Sequence, residues 1–126
     1  MGRILTTSVI CISALAFAST ANATGNSVAG QSVFQGKCSV CHVTIASKRS
    51  GIGPNLAGIV GRQAGTLPGY SYSNAMKNAH ITWTPAQLQA YLAAPGALVR
   101  GNKMPFAGIH NAQQLSDVVA YLGTLK

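Results

Sequence analysis

Acid is almost absent from this chain of 126 residues. Asp117 is its one acidic side chain against nine Lys and Arg, which gives a formal charge of +8. The excess comes from missing acids more than from surplus bases. The bases are scattered: Lys37, Lys48, Arg49, Arg62, Lys77, Arg100, Lys103 and Lys126 form no run. That spread argues against a phosphate-binding basic tract and leaves acidic surfaces, especially acidic protein faces, as electrostatic partners. It also removes the usual route of acid unfolding, protonation of paired carboxylates. An acidic host compartment is the expectation, and loss of folded structure near about pH 4 would refute it.

A membrane-length apolar run is missing too. Ile4–Ala18 falls short of the roughly 20 residues that a spanning helix needs. This run follows Arg3 and precedes Ser19-Thr20-Ala21-Asn22-Ala23, which offers an A-x-A cleavage site. A cleavable secretory leader over 1–23 is expected, with one mature domain over 24–126. The segment is poor in Arg, which favours bacterial export over mitochondrial import. An uncleaved N-terminal anchor is the alternative. Cleavage would remove Cys11 and leave two cysteines, Cys38 and Cys41.

Those two lie in Cys38-Ser39-Val40-Cys41-His42, the C-x-x-C-H pattern of c-type haem attachment. Two thiols at this spacing can each add to a vinyl group on one porphyrin edge, and the next residue can offer an imidazole to the iron. A Cys38–Cys41 disulfide, or a zinc site with His42 as third ligand, are the competing structures. Zinc would need a fourth ligand, and His80 and His110 stand in no paired motif.

The remaining periodicity is helical. Asn26 is placed to cap a helix running roughly from Ser27 to Cys38, with Gly30 and Phe34 on one face. A short helix is expected near Asn74 to Asn78. Thr84-Pro85-Ala86-Gln87 starts another, with Leu88, Tyr91 and Leu92 apolar, ending before Pro95-Gly96. The last begins at Asn111 and carries Leu115, Val118, Val119 and Leu122 at helical spacing. The Gly- and Pro-rich stretch from Lys48 to Gly69 suits an ordered loop wrapped round a cofactor. No segment alternates convincingly as a strand. The expected class is all-α, with long loops and a core built partly around the haem.

CSVCH, GPNL at 53–56, GR at 61–62, PGYSYSNAMKN at 68–78, ITW at 81–83, KMPFAGI at 103–109 and VVAYL at 118–122 occur in one order and spacing. Together they resemble the class I c-type cytochromes, closely the mitochondrial type, along the whole mature chain. The resemblance implies a small single-haem fold in which the N- and C-terminal helices cross, with Gly30 and Phe34 against Val118 and Tyr121. It implies haem c on Cys38 and Cys41, and His42 and Met104 as axial ligands; without it Met76 would rival Met104. It implies that Pro54 orients His42, that Tyr91 lies near the Met104 sulfur, and that Arg62, Tyr72 and Trp83 satisfy the propionates. Phe106 would cover the haem near its exposed edge. Met76 and Asn102 depart from the family's usual Asn and Thr.

The same resemblance implies docking through cations around the haem edge. Lys37, Arg49 and Lys103 hold such positions, with His110 a pH-dependent fourth. Ser32, Gly51, Gly96, Ala97 and Asn111 occupy others, so electrostatic steering should be weaker than in lysine-rich members. The expected function is one-electron transfer by a soluble, monomeric periplasmic carrier. Its donor would be a membrane quinol-oxidising complex or a periplasmic dehydrogenase, its acceptor a terminal oxidase or reductase. Filled axial positions argue against an enzyme; a peroxidase-like haem protein and a non-haem thiol or zinc protein are the alternatives.

Overall fold

Helix caps decide where the chain becomes regular. In a computed structural model that describes residues 24–126 and Gly2, the side-chain oxygen of Asn26 accepts from the N–H groups of Val28 and Ala29 at 2.9 and 3.1 Å. This opens α1 (Ser27–Lys37). Ser73 caps α2 (Asn74–Lys77) through the Met76 N–H. Thr84 caps α3 (Pro85–Ala93) through the Gln87 N–H. Asn111 caps α5 (Ala112–Leu122) through the Gln114 N–H. Each cap satisfies a donor that the first helical turn otherwise leaves free. Apart from Gly2, the expected leader lies outside the described residues.

Between α3 and α5 stands a helix that the pattern did not suggest, α4 (Pro95–Leu98). Pro95-Gly96 reads as a stop, and α3 does stop. Yet proline needs no N–H at a first helical position, so the residue that ends one helix starts the next. The first helix ends at Lys37, one residue earlier than expected, although the Cys38 N–H still donates to the Phe34 carbonyl at 2.8 Å. Among the described residues the only β pairing is a bridge between Gln63 and Thr82.

Helices α1 and α5 cross at Gly30. A Cβ there would overlap the carbonyl oxygen of Asp117, so the two backbones approach as only glycine allows. Phe34 packs on Tyr121 with ring centroids 5.4 Å apart, and Val118 is wholly buried. The crossing is the one the resemblance implied. The sole carboxylate is spent here: Asp117 Oδ1 accepts from the Asn26 N–H and from Gln113 Nε2, both at 2.8 Å. A negative charge beside the first turn of α1 also suits the positive end of its dipole.

The aperiodic stretch is ordered by backbone bonds. Gly61 N–H donates to the Trp83 carbonyl at 2.9 Å, and Trp83 N–H to the Arg62 carbonyl at 2.8 Å. The Asn55 amide donates to the carbonyls of Ile45 and Lys48, and its oxygen accepts from the Ala57 N–H, all at 2.8 Å. Loop and helices together enclose a cleft.

Candidate functional site

The cleft has two chambers, which enclose about 920 and 660 Å³ including the open mouths. Cys41, His42, Leu56, Leu92, Met104, Pro105 and Leu122 line both, so they form one continuous space. Cys38, Lys37 and Phe106 line only the second; Pro54, Arg62, Tyr72, Trp83 and Tyr91 line only the first. Nearly every residue singled out from the sequence therefore faces one cavity. Arg49 does not: it is exposed and lines neither chamber.

Much of the core is also cleft wall. Ile59, Met76, Trp83, Leu88, Tyr91 and Leu92 are buried, yet they border the space. Trp83 and Tyr91 pack on each other with centroids 5.0 Å apart. Protein interiors are close-packed, so an apolar wall of this extent calls for an apolar occupant.

His42 is aimed by the loop that follows it. Its Nδ1 lies 2.8 Å from the Pro54 carbonyl oxygen. A carbonyl only accepts, so Nδ1 carries the proton and Nε2 keeps its lone pair. Burial lowers the His42 pKa, opposed by the Pro54 hydrogen bond, which favours the neutral ring a metal needs. Gly53 passes against this ring, and a Cβ there would lie 2.8 Å from Nδ1.

The two cysteines are free thiols, not a disulfide. Burial pushes Cys38 up to about 11, against the lowering effect of Lys37. Redox-active C-x-x-C motifs carry a thiol with a lowered value, and burial moves Cys38 the other way. Among the described residues no group of three or more His, Cys, Asp and Glu side chains could hold a metal ion. The zinc alternative therefore has no ligand set among the described residues.

Arg62 gives the cleft its charge. Its guanidinium donates to the carbonyls of Asn55 and Ala57 at 2.9 and 2.5 Å. The only acidic side chain is away at the helix crossing, so the cation faces the cleft without a carboxylate partner. Burial raises the Tyr72 pKa, opposed by the Leu67 backbone and Arg62. Tyr70 meets Tyr72 edge-on at 4.8 Å and donates its hydroxyl to the Ile52 carbonyl. Two free thiols, a neutral imidazole, a thioether, an apolar wall and an unneutralised cation fit a large apolar iron-bearing group with anionic substituents.

The sequence profile of the family described as Cytochrome c matches residues 27–126. This chain belongs to the cytochrome c family. A cytochrome c2 from Rhodomicrobium vannielii is 43% identical over 111 residues, 88% of this chain and 88% of that protein. A cytochrome c from Cannabis sativa is 43% identical over 98 residues, 78% of this chain and 88% of that protein. Among solved structures, cytochrome cH from Methylobacterium extorquens superposes with a TM-score of 0.74 at 40% identity, covering 79% of this chain and 99% of the other. The all-α class and the single-haem fold expected from the sequence both hold. Cytochromes c of this family are electron carriers rather than enzymes and bind one covalently attached haem c, whose attachment motif Cys38 and Cys41 fit.

Two features were not anticipated from the sequence, and the bonds of a third, Asn102, go beyond the departure noted there. Asn55 is buried and bonds three loop segments; the GPNL turn signal marked its place but not its task. The Lys103 ammonium lies 2.6 Å from the Ser71 carbonyl, which ties one rim of the first chamber to another. Asn102 bonds to α4 and to the backbone of Met104.

Proposed function

We propose that this cytochrome c is an exported one-electron carrier that works in the periplasm as a monomer. Residues 1–23 are its cleaved leader. Cys38 and Cys41 hold the haem by thioether bonds, and His42 and Met104 are the axial ligands. The observation that carries this is the shared space: both ligand candidates and Cys41 line both chambers, and Cys38 lines the second. When bound, haem supplies the ferric/ferrous couple through which one electron enters and leaves.

The protein's part is to hold that couple steady. Pro54 keeps His42 in the tautomer that offers Nε2. Histidine/methionine ligation raises the potential, and both positions filled keep substrates off the iron. Arg62, Tyr72 and Trp83 receive the propionates, Tyr91 lies beside Met104, and Phe106 shields the second chamber. Among the described residues no helix is long and apolar enough to cross a membrane. Docking is transient, through Lys37, Arg49 and Lys103, onto acidic faces of membrane respiratory complexes or periplasmic dehydrogenases and oxidases. A quinol-oxidising complex or such a dehydrogenase is the donor, and a terminal oxidase or reductase the acceptor.

Visible spectra of the exported holoprotein test this. The expected result is low-spin bands, a methionine-to-iron charge-transfer band in the ferric form, and no change with carbon monoxide in the ferrous form. High-spin bands and ready carbon monoxide binding would overturn the closed-carrier assignment.

A further inference from the structure

The segment that carries Met104 is anchored at both ends. Beyond it, the Ile109 N–H donates to the Leu92 carbonyl at 2.9 Å, which fixes that end to α3. Before it, the Asn102 N–H donates to the Val99 carbonyl at 3.1 Å, and the Asn102 side chain adds the bonds that reach both α4 and Met104. Asn102 Nδ2 donates to the carbonyls of Pro95 at 3.1 Å and Val99 at 2.8 Å. Asn102 Oδ1 accepts from the Met104 N–H at 2.7 Å. Both carbonyls belong to buried residues, Pro95 and Val99, one at the start of α4 and the other just after its end. A primary amide has two N–H donors and an acceptor oxygen, and all three contacts are made.

We infer that Asn102 is a positioning residue for Met104: it ties the backbone of the axial methionine to α4 and thereby sets how readily the iron–sulfur bond opens. The inference rests on Met104 being the ligand. The amide is suited to the task because its two halves act on different elements. Its NH2 group is held by the carbonyls of two buried residues, and the oxygen extends that constraint to residue 104. A threonine hydroxyl has one proton to donate. It can keep the bond from the Met104 N–H but reach only one of the two carbonyls. The Lys103 bond to Ser71 is no substitute, since it is made by an exposed, flexible chain.

The test is imidazole binding to the ferric holoprotein, followed by loss of the methionine charge-transfer band, together with the reduction potential. Asn102→Ala should bind imidazole about tenfold more tightly and lower the potential, and Asn102→Thr should fall between it and the wild type. Thr84→Ala removes the α3 cap at the end of the helix opposite Leu92 and lowers overall stability without removing any bond of residues 99–104. It should leave imidazole affinity and potential unchanged. Wild-type values in Asn102→Ala, or equal shifts in Thr84→Ala, would overturn the inference while Met104 ligation stands. If Asn102→Ala yields no holoprotein, Asn102→Thr decides by the same measure. A wild-type protein with no methionine band, and with imidazole already bound freely, would overturn both the inference and the ligand assignment.

Discussion

The Pro54 carbonyl oxygen lies 2.8 Å from Nδ1 of His42, and Gly53, the residue before it, is where a Cβ would strike the same ring. One dipeptide thus orients the imidazole and leaves it room. Substitution of Gly53 by Ala should push the ring off the Pro54 carbonyl. Holoprotein yield should fall, and what survives should lose about 1–3 kcal/mol in urea unfolding. Unchanged yield and midpoint would show that the loop adjusts without disturbing His42.

Two glycines of α1 should respond in opposite directions to the same change. At Gly30 a methyl group meets the Asp117 carbonyl, while at Gly36 it meets nothing within 4 Å. Gly36→Ala should stabilise the protein by about 0.5–1 kcal/mol through helix propensity. Gly30→Ala should cost about 3 kcal/mol or prevent accumulation, because both helices would have to separate. Denaturant midpoints of the two variants check the pair, and equal effects would refute the close crossing.

Alkaline stability should depend on Tyr91. Burial is the main cause that pushes its phenol from 10.0 to about 12. Below about pH 10 both folded and unfolded states keep the proton, so the contribution is fully present. Above it the unfolded chain ionises first, and stability falls until the folded phenol follows at about 12. A shift of this size is worth roughly 2–3 kcal/mol. Tyr91→Phe should flatten the fall between about pH 10 and 12 without abolishing it, since Tyr72 is raised in the same direction. Urea titrations across that range read the slopes, and parallel slopes would refute the assignment.

On the acid side the sign is reversed and the group is His42. Burial lowers its pKa in the folded chain, and iron ligation would occupy its Nε2 lone pair as well, so the unfolded chain takes the proton first. Its contribution is present above about pH 6.5 and is lost as pH falls. Asp117 is the one acidic side chain, so the other carboxylates of the holoprotein that matter here are the haem propionates held in the cleft. The holoprotein should keep its helical circular dichroism to about pH 4. Its unfolding free energy should decline by no more than about 1.4 kcal/mol per pH unit, the slope of one proton. A steeper, two-proton slope would mean that a haem propionate or Asp117 takes up a proton together with His42.

Local chemistry was legible in the chain itself. Asn26 and Thr84 cap the helices they were expected to cap, and Asn111 caps the helix expected to begin there, because a cap is a contact between near neighbours. The C-x-x-C-H motif was equally plain, since five consecutive residues hold its whole geometry. Asp117 could be counted from the sequence, but its task of holding the start of α1 spans 91 positions and exists only once the helices cross. α4 escaped notice because its first residue also serves as a stop. Asn102 showed as a departure from the family's usual residue, yet its bonds to Pro95 and Val99 require the chain to turn back on itself. Composition, caps and motif thus settled class and cofactor chemistry through contacts within a few residues. Tertiary structure alone decided which side chains share the cleft, because those contacts join segments that only the folded backbone brings together.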